Sequence, residues 1–462
     1  MRHFGPFFLL TVACLPALAA GISDPFDTDA IAPLKPSPGL SARGGEAPCA
    51  TALPATALTA LDAVDLALCN HPQTREVWAS ARVQAALVRD APAGWLPNLD
   101  GSASATRFML DDGSYNRRSA ALTLSWLLID FGQRSASVEN AQQLLNAAAA
   151  SQDATVQSLF LAALQTYYSA QATQAAVISA GEAERSAREA FQAADARYNV
   201  GVATPADRLQ AQTALSQATL NRIRAEGEAR NALGVLANVM GFDAQQKITL
   251  DEIPRSLPET AYQSDVDALI EEARNRRPDL KSAEAQVKAA EASVDVARAQ
   301  GRPTVSLPTG PTWQDVSGVS SNGGAVGVTL SVPIFSGFET TYRVRSAEAQ
   351  VDVRAAQRDR LRNQVALDVW KAYQNLNTAS QSLTATSDLV ASAEQSERVA
   401  LGRYKAGVGT VLDLLTAQTA LANARLQRIQ AGLDWHVYRA TLAQTVGALD
   451  YTLLQPAVQG KP

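Results

Sequence analysis

A chain that contains itself twice is restricted to folds that two similar halves can share. Arg197-Tyr198-Asn199-Val200-Gly201-Val202-Ala203-Thr204 returns as Arg403-Tyr404-Lys405-Ala406-Gly407-Val408-Gly409-Thr410, an offset of 206. The match runs without a gap from 197–241 to 403–447, with 20 of 45 positions identical. Pro72 and Pro97 find Pro278 and Pro303 at the same offset. A repeat this long is a duplicated half-protein, not a solenoid unit. Two similar halves favour a symmetric object such as a ring, a tube or a bundle.

Each half reads in one order: helix, strand, loop, strand, very long helix, tight turn, return helix. In the first half, 58–94 is helical with a break at His71-Pro72, 98–108 and 118–128 are strands, 135–199 is the long helix and 205–240 returns. In the second half the same elements fall at 266–300, 304–313, 325–335, 340–405 and 411–446. The boundaries are then 57–241 for repeat 1, 242–265 for a linker holding Pro254 and Pro258, 266–447 for repeat 2 and 448–462 for a tail. At 1.5 Å per residue each long helix reaches about 100 Å, which no compact domain holds. The return helix is about half as long, and the helix before the strands completes the length by stacking end to end with it. Along 135–199 a seven-residue seam of Val156, Ala163, Ala170, Val177, Phe191 and Tyr198 predicts side-by-side helices, with Glu184 as the exception.

The strands have the length that crosses a bilayer in a tilted barrel, about 9–11 residues. Leu122, Leu124 and Trp126 alternate with Thr123 and Ser125; Val326, Val328, Leu330 and Val332 alternate with Gly327, Thr329 and Ser331. A soluble sheet packed on one face is the other reading. Four strands cannot close a barrel, so strands in lipid require several chains to share one.

Residues 1–19 read as a secretory signal: Arg2, an apolar run from Phe4 to Leu15, and the cleavage pattern Ala17-Leu18-Ala19. The rival is a lipoprotein site at Ala13-Cys14, where Thr11 stands in place of the usual Leu. Residues 20–56, rich in Pro, Gly and Ala, form an extended lead-in. Cys49 and Cys69 remain after cleavage; they are either a disulfide or two thiols. The net charge of −5 and the absence of a basic stripe argue against nucleic acid.

Both tips are specified. Gly201 and Gly407 end the long helices, and Thr204 and Thr410 cap the return helices with Asp207 and Asp413 three residues on. Capping accounts for both acids. They also suit the closed end of a tube, where a ring of carboxylates attracts cations. Tyr198 and Tyr404 pack across hairpins or fill the seam. No phosphate-binding loop occurs, and the histidines are only His3, His71 and His436. His71 is expected to cap the helix break. No catalytic, cofactor or metal site is expected, so the chain does not read as an enzyme.

The chain resembles the TolC family of outer-membrane export channels over residues 58–447. The resemblance rests on the Pro72 and Pro278 breaks, Trp95-Leu96-Pro97, Asp130-Phe131-Gly132 with Phe335-Ser336-Gly337, and the duplicated tip Tyr-x-x-Gly-x-x-Thr-x-x-Asp followed by Ala-Gln. It implies a mainly α fold with a small membrane β-barrel portion. It implies a homotrimer with a twelve-stranded barrel in outer-membrane lipid and a twelve-helix α-barrel tunnel across the periplasm. It implies tips (Tyr198, Gly201, Thr204, Gly407 and Thr410) that dock a periplasmic membrane-fusion adaptor, which reaches an inner-membrane transporter. Asp207, Asp413 and Tyr404 match gate positions. Gly409 stands where a latch arginine can occur, and Thr416 where a second acidic ring can. The closed state is therefore expected to have fewer polar links. The poor lipid site favours type I secretion of a protein with an ABC transporter, as used by RTX toxins or in the adenylate-cyclase-haemolysin branch. An efflux pump with an RND transporter is the alternative, and a soluble periplasmic coiled-coil adaptor is a second one.

Overall fold

A computed structural model describes residues 52–54, 56–111, 113–251 and 265–449. The signal and lipid-site readings, Cys49, most of the lead-in and linker, and all but the start of the tail lie outside the described residues. Helix α1 is Ala60–Asn70 and α2 is Pro72–Asp90, followed by a 3-10 turn, Ala91–Trp95. Strands β1 (Asn98–Leu110) and β2 (Gly113–Ile129) lead into α3 (Gln133–Asn199), and α4 (Pro205–Val239) returns. The second half has α5 (Val266–Arg276), α6 (Pro278–Ala299), β3 (Thr304–Val316), β4 (Val319–Val326), β5 (Thr329–Ser331), α7 (Glu339–Lys405) and α8 (Val411–Val446). The helix break expected at His71 is there. Its Nδ1 accepts from the Gln73 amide at 3.2 Å, and Pro72 takes the first helical position.

α3 and α7 have 67 residues each. Small residues hold the two-helix stretches together: Ala187, Ala190 and Ala194 of α3 are buried, as are Ala211, Ala225 and Ala229 of α4. Large side chains concentrate where the short helices α1 and α5 lie on the long ones. Val64, Leu68, Phe160, Leu164 and Ala440 form one core there. Leu269, Val365, Val369, Trp435 and Leu442 form another. Of the expected seam, Val156, Ala163 and Ala170 are buried, whereas Tyr198 is exposed at the end of the rod. The exception, Glu184, is buried because it is paired. Its carboxylate accepts from Thr219 Oγ1 at 2.9 Å, Arg222 Nε at 2.6 Å and Arg188 Nη2 at 2.9 Å.

The sheet is antiparallel in the order β1-β2-β3-β4, with β5 continuing β4 along β3. The β2–β3 pairing joins the two halves into one layer. β2 and β3 run longer than expected, and the expected single strand at 325–335 is replaced by an earlier β4 and a three-residue β5. Pro308 explains the interruption, because it has no N–H to give the ladder; its carbonyl instead accepts from the Gly327 amide at 3.2 Å. Gly310 is obligatory, since a Cβ there would lie 1.8 Å from the Leu122 carbonyl oxygen of β2. The expected apolar faces are uncovered. Leu122 is 52% exposed, Trp126 40%, Val326 77%, Val328 68% and Leu330 62%. Among the described residues no element covers these faces, though Trp126 Nε1 donates to Trp95 O at 2.9 Å, so the reading of a sheet packed on one face within a soluble domain is corrected.

His436 on α8 is half-buried between Tyr168, stacked at 4.4 Å, and Trp435, edge-on at 5.1 Å. Burial first, and the nearby Arg439 charge second, lower its pKa to about 4. Between its ordinary value and that one the unfolded chain binds the proton and the folded chain does not. Stability is therefore expected to fall as pH drops from about 6.5 to about 4. His436→Phe, which keeps the stack and cannot titrate, is expected to flatten that slope in melts recorded across the window.

Candidate functional site

The duplicated tips are built by the same local rules. At the first, Gly201 adopts φ +79° and donates its amide to Tyr198 O at 3.0 Å, while the Val202 amide reaches back to Arg197 O at 3.0 Å. At the second, Gly407 has φ +78°, and the Gly407 and Val408 amides bond Tyr404 O and Arg403 O, both at 3.0 Å. The left-handed glycine turns the last carbonyls of each long helix onto its own loop.

Both return helices open with a reciprocal cap. The Thr204 hydroxyl accepts from the Asp207 amide at 3.2 Å, and the Asp207 carboxylate accepts from the Thr204 amide at 3.0 Å and its hydroxyl at 2.8 Å. Thr410 accepts from the Asp413 amide at 3.1 Å and donates its own amide at 3.3 Å. These bonds hold both carboxyls below the usual range. For Asp207 the Thr204 amide is the largest lowering cause, followed by its hydroxyl and Arg197. For Asp413 the Thr410 hydroxyl leads, followed by its amide and Arg403. Two fixed negative charges therefore stand at one end of the rod at neutral pH. Asp413 is exposed and Asp207 half-buried.

The two tyrosines part company. Tyr198 is 37% exposed, with the Arg208 guanidinium 5.6 Å from its ring centre. Tyr404 is 5% exposed, inside a cluster of Ala190, Ala194, Ala211, Val411 and Leu414 that spans both repeats. Arg197, which the sequence reading did not single out, donates from Nη1 to Tyr404 O at 2.8 Å and lies 4.9 Å from the Tyr404 ring centre. The signal for it was the arginine that opens the duplicated segment in both halves. At Gly409 a Cβ would sit 3.0 Å from Arg403 Cβ and 3.1 Å from the Tyr404 amide nitrogen, a tight fit that asks its neighbours to give by a few tenths of an ångström. Val200, Val202 and Val408 are 72%, 66% and 70% exposed around the tips.

Among the described residues no group of three or more His, Cys, Asp or Glu could hold a metal. No described helix is long and apolar enough to cross a membrane. Cys69, at the end of α1 and far along the sequence from the tips, is disulfide-bonded.

A profile described as outer membrane efflux protein matches residues 63–242 and 269–448. The chain is 34% identical to Protein CyaE of Bordetella pertussis over 85% of this chain and 84% of that protein. It is 27% identical to Nodulation protein T of Rhizobium leguminosarum bv. trifolii over 79% and 80%. Two solved structures have its fold. CusC superposes with a TM-score of 0.76 at 20% identity, over 84% of this chain and 92% of that one. VceC from Vibrio cholerae superposes with a TM-score of 0.74 at 22% identity, over 84% and 96%.

The cap geometry sets an expected cost. Thr204→Ala removes one acceptor and frees the Asp207 amide, and is expected to lower stability by about 1 kcal/mol in a denaturant melt. Thr204→Ser is expected to restore most of that loss.

Proposed function

Because the chain belongs to the outer membrane efflux protein family, the TolC-like export channels, we propose that it is the passive exit duct of a machine that exports protein across the periplasm and outer membrane. Members of this family are outer-membrane channels with a long helical periplasmic tunnel, and this chain is one of them. The observation that carries the duct reading is the uncovered apolar face of a four-position sheet, joined to helices about 100 Å long. A face of that kind suits lipid, and sheet edges at β1 and β4 must close on other copies there. A homotrimer closes them. A soluble scaffold leaves that face unexplained.

The tips are the gate and the docking region in this reading. Asp207 and Asp413 supply carboxylates at the constriction, and Tyr404 links the two hairpins. The exposed Val200, Val202 and Val408 offer a periplasmic adaptor an apolar contact beside Gly201, Thr204, Gly407 and Thr410. The adaptor joins an inner-membrane ABC transporter, which supplies the energy. For cargo, the 34% likeness to Protein CyaE of B. pertussis supports the secretion branch over drug efflux. The likeness to the Pseudomonas putida probable efflux pump outer membrane protein TtgC is lower, at 26%.

In planar bilayers the purified full-length protein is expected to give discrete, cation-selective channels, with selectivity reduced in Asp413→Ala. A protein that stays soluble without detergent and never inserts would overturn the duct. Deleting the gene is expected to abolish release of one secreted protein and leave drug susceptibility unchanged; the reverse pattern would favour efflux.

A further inference from the structure

The strand register sorts the sheet's side chains onto two faces. Ala103, Ala120, Trp313 and Asn322 make one row across β1 to β4, and Leu99, Leu124, Thr309 and Val326 make another on the same face. This is the apolar face that suits lipid. The rod joins the sheet at Asn98 and Ile129, so the β1–β2 and β3–β4 turns lie at the end away from it. With the helical tunnel in the periplasm, that end points to the outer leaflet. From Leu128 to Ala120 the face is apolar over about 27 Å of strand, on the order of the apolar band of a membrane barrel.

Beyond Ala120 the same face changes character. The next row holds Arg118, opposite Ala105, and the row after it Arg107, opposite Asn116. Both arginines are exposed, and they are diagonal neighbours on paired strands. Arg107 donates to a neutral partner, Ser114 Oγ, at 3.1 Å. Asp315 stands across from Arg118 on β3, yet among the described residues the two form no ion pair; Asp315 Oδ1 instead accepts from the Gly318 amide at 3.3 Å. Two like charges side by side favour an anion between them. On the inward side, small Gly101, Ala103 and Ala120 lie with the bulkier Leu122 and Trp313 around a groove of about 620 Å³. A guanidinium pair directly beyond an apolar groove matches an amphiphile with a phosphate head and acyl chains. A phosphomonoester carries nearly two negative charges at neutral pH, which two guanidiniums balance, whereas the phosphodiester of an ordinary phospholipid carries one. We propose that this face binds lipopolysaccharide of the outer leaflet, with a lipid A phosphate held by Arg107 and Arg118 and an acyl chain in the groove beside Trp313. The proposal rests on reading the apolar face as the one that meets lipid.

The test is binding of fluorescently labelled lipopolysaccharide to the detergent-purified full-length protein, with single-channel conductance reporting that each variant folds. Arg107→Gln/Arg118→Gln is expected to weaken binding about tenfold or more. Ala103→Leu, which fills the groove, is expected to weaken it severalfold. Arg117→Gln is expected to leave it unchanged, because Arg117 is on the opposite, polar face, where it donates to Gln314 Oε1 at 3.2 Å. Phosphatidylglycerol and dephosphorylated lipid A are expected not to displace the label. Should the double variant form no channels, Arg118→Gln alone decides. Affinity unchanged by the arginine substitutions or by Ala103→Leu, an equal loss with Arg117→Gln, or displacement by phosphatidylglycerol overturns the site and leaves the duct intact. A protein that stays soluble without detergent and never inserts overturns both.

Discussion

A helix of 67 residues in a folded protein takes most of its stability from burying one face along its length. Everything else in this chain answers that requirement. α4 and α8 cover the tip-side halves of α3 and α7, and α2 and α6 cover the sheet-side halves of the rod. Alanine dominates the two-helix contacts because small side chains let backbones approach. Leucine, valine and phenylalanine concentrate where α1 and α5 add a further layer. The rod is thus thin where two helices suffice and thick where more converge.

Small-residue seams say little about register, since one alanine packs much like another. Polar pins supply what the seam lacks. Glu184 holds α3 to α4 through Thr219 and Arg222. Arg425 of α8 reaches Glu182 of α3 at 2.5 Å and Glu394 of α7 at 3.1 Å, crossing from one repeat to the other. Arg277 at the α5–α6 break pairs with Asp279 at 2.6 Å and with Asp368 of α7 at 3.2 Å. A half-buried charge displaced by one helical turn would lose its partner, so these contacts make wrong registers costly.

The junction between sheet and rod shows how far the two halves have diverged. After β2, Arg134 is buried with Asp130, donates to Gly94 O at 3.1 Å, Leu127 O at 2.7 Å and Leu128 O at 3.2 Å, and covers the Trp95 ring at 4.0 Å. Strand end, 3-10 turn and helix start are bound by one side chain. Among the described residues the second half has no such buried arginine at this place: Glu339 starts α7 exposed, after Phe338 in a left-handed conformation, and the exposed Arg343 donates to Gln300 Oε1 at 3.1 Å. One junction is clasped by a buried arginine and the other is not, just as one tip arginine reaches a buried ring of the other repeat while the second acts on Asp413 of its own tip.

The long helices, both capped turns, the break at His71 and the four strand positions were legible in the sequence. Each depends on hydrogen bonds that close within a few residues or on a short repeat of apolar positions, and such local rules travel with the residues. The split of the last strand was not legible, because it depends on Pro308 lying opposite Gly327 in a neighbouring strand. Nor was the contact of Arg197 with Tyr404. Two copies of one motif have the same local structure, so sequence alone determined the pair of tips. Only the tertiary structure decided which arginine finds a buried ring, because that depends on neighbours about two hundred residues away, and there the copies differ.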